Sequence, residues 1–213
     1  MVSPSLRVLL AANWGLGERL LAALLDCPDV SLLGVITRCP APDNDDPWAD
    51  AVRARAAAAG LPIWEEDSLT HPALVDLIRN LNVDVLFLHA YMRRLRQDTY
   101  SAARKGTVNI HASLLPRHRG PAPHHWTLKN REPETGLTSH FVDDGLDTGP
   151  IIHQVRICLN GNETLPDLLE SLKKAAPHLV RGTVKNLLDP GFRPVPQDAS
   201  LVTHAPVMES RLS

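Results

Sequence analysis

The sequence predicts an α/β domain built on a doubly wound, mostly parallel sheet. Three observations carry that reading. Short apolar runs alternate with helix-period segments through the first half of the chain, as in successive strand–helix units. Those runs are continuously apolar, as strands covered on both faces are. After residue 111 the alternation stops, and two strand-like runs follow one another across an Asp/Gly-rich loop, which places an antiparallel pair at one edge.

The elements follow in order. Residues 7–12 are a short apolar run, hence a strand. Residues 15–25 place Leu20, Leu21, Leu24 and Leu25 on one helical face. Residues 30–37 read as a second buried strand. Residues 38–48, with several prolines and aspartates, read as a surface loop. Residues 49–59 are alanine-rich with good helix propensity, and Gly60 is a natural stop. A short strand at 62–64 precedes a helix at 72–80 that turns Leu74, Leu77 and Ile78 inward. Residues 84–88 are a further buried strand, 96–104 a short helical piece, and 106–111 a strand. A helix at 124–130 precedes the strands 136–142 and 151–158. Asn162-Glu163-Thr164 then opens a long helix, with Thr164 and Asp167 as a capping pair and Leu165, Leu168, Leu169 and Leu172 on one stripe. From Pro190 the chain is proline-rich and reads as irregular. The expected organisation is one domain over 1–189, with 190–213 as a tail packed on it.

Composition removes several function classes. The 213 residues carry 22 Lys+Arg against 24 Asp+Glu, a formal net charge of -2, so nothing general draws the chain to nucleic acid. The apolar stretches are far too short to span a bilayer, and the N-terminus has no signal-peptide pattern. Cys27, Cys39 and Cys158 are scattered without CxxC spacing, which argues against a zinc site or a disulfide framework and for a cytoplasmic location.

The candidate chemistry sits at Asn109, His111 and Asp147. Residues two apart on a strand share a face, so the Asn109 amide and the His111 ring leave the 106–111 strand as neighbours. An amide donor beside a titratable ring suits charge developing on a carbonyl oxygen, and a carboxylate on the far side of the ring would fix its tautomer and favour its charged form. Asp147, in the run Asp143-Asp144-Gly145-Leu146-Asp147, is that carboxylate if the loop reaches the carboxyl edge of the sheet. The combination points to acyl transfer. Alone, the same loop is also a plain hairpin turn. Gly15-Leu16-Gly17 after the first strand is positioned as a dinucleotide turn, but Leu20 stands where a third glycine belongs, and plain geometry accounts for the pair. His118, His124 and His125 have no partner at a usual zinc spacing, so no metal is expected. The loop through Arg117 and Arg119, stiffened by Pro116, Pro121 and Pro123, is either a solvated connection or a preordered anion contact.

Asn109-Ile110-His111-Ala112-Ser113-Leu114-Leu115-Pro116-Arg117-His118-Arg119-Gly120, followed by Glu134-Thr135-Gly136 and Asp144-Gly145-Leu146-Asp147-Thr148-Gly149, resembles the signature of the 10-formyltetrahydrofolate-dependent formyltransferases. The resemblance spans nearly the whole chain. It implies a doubly wound catalytic domain, 10-formyltetrahydrofolate as formyl donor, no metal, and catalytic roles for Asn109, His111 and Asp147. It also implies that the pterin lies against Tyr91, Met92, Arg93, Arg94 and Leu95 and against the backbone of Val142, Asp143, Asp144, Gly145 and Leu146. A neutral amine would attack the formyl carbon while Asn109 and protonated His111 stabilise the oxyanion and Asp147 orients the ring and helps the proton move.

The acceptor is less legible. Ala12-Asn13-Trp14-Gly15-Leu16-Gly17-Glu18 departs from the glycine- and serine-rich phosphate loop of the glycinamide ribonucleotide enzymes. Methionyl-tRNA formyltransferases carry a basic insertion where this chain has Pro42-Asp43-Asn44-Asp45-Asp46, and an acidic loop repels tRNA phosphates. Arg119-Gly120-Pro121-Ala122-Pro123 is similar to the stretch before the acceptor helix of amino-sugar N-formyltransferases. A small primary amine is therefore the expected partner, with methionyl-tRNA second, and Ser113, Arg119, Gly120 and Trp14 as candidate acceptor contacts. The sequence leaves a homo-oligomer open. A dehydrogenase using Gly15 and Gly17, or a non-catalytic folate-binding relative, are the readings from other classes; the joint presence of Asn109, His111 and Asp147 weighs against the latter.

Overall fold

Seven strands form one sheet in the order β3-β2-β1-β4-β5-β6-β7 in a computed structural model that describes residues 5–39, 50–91 and 93–207. The elements are β1 (Leu6–Ala12), α1 (Trp14–Leu25), β2 (Val30–Thr37), α2 (Ala51–Ala58), β3 (Ile63–Glu65), α3 (His71–Asn80), β4 (Val85–His89), α4 (Gln97–Tyr100), β5 (Thr107–His111), α5 (Pro123–Lys129), β6 (Glu134–Phe141), β7 (Ile151–Cys158) and α6 (Leu165–Leu188). The first five strands are mutually parallel, and β6 and β7 join antiparallel at one edge. This is the doubly wound, mostly parallel α/β sheet that the alternating pattern predicts.

Each face of the sheet is covered, which is why β1 and β4 are apolar throughout. On one side, Leu10, Phe87, Val108 and Ile110 pack with α1, α2 and α6; on the other, Leu9, Ile36, Leu86 and Leu88 pack with α3. Gly17 lets α1 lie close on the sheet, since a Cβ there would stand 3.1 Å from that of Ala12. That fits the plain-geometry account of Gly15 and Gly17. The long helix α6 begins with a capping box: the Thr164 hydroxyl accepts from the Asp167 N–H, and Asp167 accepts from the Thr164 N–H at 2.9 Å.

Most predicted bounds lie within two residues of those observed. The exception is α4, expected over 96–104. It stops at Tyr100 because the Arg104 and Lys105 N–H groups donate to Val83 and Asp84 at the entrance to β4 instead of continuing the helix. Most of the predicted loop 38–48, with its acidic run at 42–46, and Met92 lie outside the described residues.

After α6 the chain returns across the body as an irregular strap. Val195 and Ile151 exchange two backbone hydrogen bonds of 2.8 Å. Farther on, Arg119 N–H donates to Thr203 O, Ala205 N–H to Arg119 O and Ala122 N–H to Ala205 O. The strap thus clamps the loop between β5 and α5. No described helix is long and apolar enough to cross a membrane.

Candidate active site

The site forms where β5 ends and two loops fold over it. Asn109 and His111 leave β5 on the same face, as alternation requires, and both meet Asp147. The Asn109 amide donates to Asp147 Oδ1 at 3.2 Å, and His111 Nδ1 stands 3.5 Å from Asp147 Oδ2. The same Oδ2 accepts the Gly120 N–H at 2.8 Å. Asp147 has a left-handed backbone (φ 53), a conformation that Asp tolerates better than most residues and that aims its carboxylate at the strand end. Burial alone would raise its pKa; the His140 ring, the His111 ring and the Gly120 N–H reverse this and bring it to about 2.

His111 lies between two acceptors. Its Nε2 lies 2.8 Å from the His118 carbonyl, which can only accept, so Nε2 carries a hydrogen. Burial pushes the ring below the ordinary histidine range, and Asp147 and that carbonyl oppose the shift without overcoming it. The shift favours the neutral ring, while Asp147 at Nδ1 and the His118 carbonyl at Nε2 both favour its charged form. Proton uptake at Nδ1 would give an imidazolium with an acceptor beside each N–H.

Three further side chains build the site, none of which the sequence assigned a role there. His140 pairs with Asn109 across β5 and β6; its Nδ1 lies 2.8 Å from the Phe141 carbonyl, and its Nε2 lies 3.1 Å from the Asn109 amide nitrogen and 3.6 Å from Asp147 Oδ1. Gln197, on the strap, accepts from Arg119 at 2.7 and 3.0 Å and donates to the Asp147 and Gly149 carbonyls at 2.8 Å each. His118, itself left-handed (φ 59), stands 3.2 Å from Glu132, which also binds Arg117. His140 carries a usable signal, the inward alternation of Thr138 and His140 on β6. Gln197 carries none that is local.

Beside Asn109 opens a cleft lined by Leu88, Tyr91, Arg93, Leu95, His140, Val142 and residues 143–147. It shares Arg94, Leu95 and Asp144 with an adjoining recess of about 440 Å³ that adds His71, Arg96 and Gln97. A space of this order suits a drug-sized ligand, which needs roughly 300–1,000 Å³. The expected pterin contacts are thus brought together, apart from Met92. Their roles differ. The Arg93 guanidinium braces the Glu66 and Leu69 carbonyls, Arg94 donates to the Asp144 carbonyl at 3.0 Å, and Asp143 accepts from the Gly145 N–H. Leu146, 67% exposed, projects from the rim.

The four candidate acceptor contacts separate. Gly120 (φ 118) supplies its N–H to Asp147, and Trp14 is exposed at the start of α1. Arg119 is committed to Gln197. Ser113 must be corrected: it is fully buried and its hydroxyl donates to the Arg117 carbonyl at 2.7 Å, so it holds the loop and cannot meet a ligand.

The Asn/His/Asp set lies at the carboxyl edge of an open α/β sheet, where such sheets receive ligands. The chain belongs to the formyl transferase family, whose profile matches residues 30–184. It is similar to the methionyl-tRNA formyltransferase of Thermosynechococcus vestitus, with 37% identity over 197 residues, which cover 89% of this chain and 57% of that protein. The chain therefore spans little more than half the length of such relatives. Among solved structures it resembles phosphoribosylglycinamide formyltransferase from Bacillus halodurans (26% identity, TM-score 0.70, covering 86% of this chain and 96% of that one). It also shares the fold of an N-formyltransferase from Helicobacter canadensis in complex with folinic acid and dTDP-3-aminofucose (19% identity, TM-score 0.72, covering 94% and 71%).

Proposed function

We propose that this chain transfers a formyl group from 10-formyltetrahydrofolate to the primary amine of a small acceptor. The observation that carries the proposal is the convergence of the Asn109 amide, the His111 ring and the Gly120 N–H on the Asp147 carboxylate, at the inner end of a cleft of about 160 Å³ that adjoins the larger recess. Family membership supports the same reaction.

The donor, when bound, supplies a formyl carbonyl on a nitrogen able to leave. Asn109 exchanges its long 3.2 Å bond to Asp147 for the formyl oxygen and meets the negative charge that develops there. His111, in its neutral form, takes a proton from the attacking amine at Nδ1 and later releases it toward the departing nitrogen. Asp147 stabilises the ring while it is charged, and Gly120 and Gln197 hold Asp147 in place.

A small acceptor is favoured over a polyanion by the acidic run at 42–46. A second reading, methionyl-tRNA, is favoured by the 37% identity to a protein of that name. Incubation with 10-formyltetrahydrofolate and methionyl-tRNA, glycinamide ribonucleotide or dTDP-3-aminofucose, followed by mass spectrometry for the gain of one formyl group, separates them. Formylation of a small amine supports the proposal; formylation of methionyl-tRNA alone replaces the acceptor. No transfer to any amine overturns the reading.

A further inference from the structure

The tips of β1 and β4 form a second feature of the carboxyl edge that the chemistry above leaves unused. The two strands are neighbours, yet the sheet continues from β1 to β2 on one side and from β4 to β5 on the other. Such a switch point is where open α/β sheets receive ligands. Ala12, at the end of β1, pairs with His89, at the end of β4. Trp14 follows with a left-handed backbone (φ 59) and 38% of its surface exposed. A bulky residue is held in that conformation only where its surroundings over-determine it, a pattern that clusters at ligand sites.

Alternation separates the two sides of this edge. Leu88 pairs with Asn109 and lines the donor cleft, so His89 faces the opposite layer, toward the beginnings of α1 and α5. His89 Nδ1 lies 3.0 Å from the Ile110 carbonyl. Since a carbonyl only accepts, Nδ1 carries the ring hydrogen and Nε2 holds a lone pair. Among the described residues Nε2 has no hydrogen-bond partner, and it is not among the fully buried side-chain atoms that lack one, so it keeps some exposure to solvent. His124, at the start of α5, adds a second ring, 4.5 Å from that of His125. Both His89 and His124 are held neutral by burial, each down to about pH 4.

We propose that His89 is a positioning residue for the acceptor: its Nε2 lone pair receives an N–H of the incoming amine and turns the amine's own lone pair toward the formyl carbon. This rests on the formyl-transfer reading and adds the side from which the nucleophile enters. The donor fills the Asn109 cleft on one face of the sheet, and the amine comes across the strand tips from the other.

The test separates the two ring nitrogens. His89→Asn keeps a donor near Nδ1 for the Ile110 carbonyl and removes the acceptor at Nε2; His89→Gln places an acceptor near Nε2. With whichever of dTDP-3-aminofucose, glycinamide ribonucleotide or methionyl-tRNA the wild type formylates, His89→Asn raises the amine KM about tenfold or more, the worth of one hydrogen bond, while the KM for 10-formyltetrahydrofolate stays put. His89→Gln restores part of the loss. A purely structural His89 gives the reverse, with Asn harmless and Gln damaging, and overturns the assignment. In parallel, nitrogen-15 NMR of histidine-labelled wild type at pH 7 shows His89 with hydrogen on Nδ1. A ring charged there, or bearing its hydrogen on Nε2, also overturns it. A wild type that formylates none of the three strikes the parent reading instead.

Discussion

Asp147 has to remain ionised inside the protein, and its surroundings are spent on that. One carboxylate faces an amide, a backbone N–H and two imidazoles, and its pKa falls to about 2 despite burial. Removing the Asn109 amide deletes the donor aimed at the formyl oxygen. Asn109→Ala is expected to lower turnover about 100- to 1,000-fold with an unchanged circular dichroism spectrum, the usual scale for one oxyanion donor; near-wild-type turnover refutes the role. Asp147→Asn keeps the shape but loses the charge, so the His111 ring becomes harder to protonate. The variant's turnover falls at all pH values and its acid limb moves to lower pH, measurable in a pH–rate profile. At this scale the sequence was readable where geometry is local. Asn109 and His111 share a strand face by alternation alone. His140 and Gln197 were not, because one enters through antiparallel register and the other through a tail that returns fifty residues after Asp147.

Among the elements, the loop between β5 and α5 carries the tightest constraint. Gly120 sits at φ 118, and a Cβ there would stand 2.8 Å from the Ala205 carbonyl of the strap. Gly120→Ala therefore strains the backbone and pushes the strap away together, at roughly 1–3 kcal/mol. Its N–H also leaves Asp147, so activity falls further than stability; denaturant melts and turnover measured side by side show the difference. Thr164→Ala is the control far from the site. Losing the capping box of α6 costs about 1 kcal/mol and leaves turnover unchanged. Strand and helix identities were legible because the parallel strands are covered on both faces and α6 announces its own cap. The end of α4 was not, since it depends on where the Arg104 and Lys105 N–H groups find partners on β4.

The molecule as a whole should weaken toward acid in two stages. His89 and His124 hold folded pKa values of about 4 against an ordinary 6.5. The unfolded chain therefore binds protons that the folded chain refuses, and stability falls as pH drops from about 6.5 to about 4, by on the order of 3 kcal/mol for His89 alone. Below that, Asp147 loses its contribution between its ordinary 3.8 and about 2. Urea unfolding across pH 3 to 7 should show the decline, shallower in His89→Gln; a flat profile contradicts it. The strap has a kinetic consequence. Residues 109, 120, 147 and 197 meet only when the two ends of the second half of the chain have found each other, and such distant closures come late. During refolding, helical signal should return before catalytic competence, with the lag set by the docking of residues 195–205. The active centre is thus the last part of the molecule to exist.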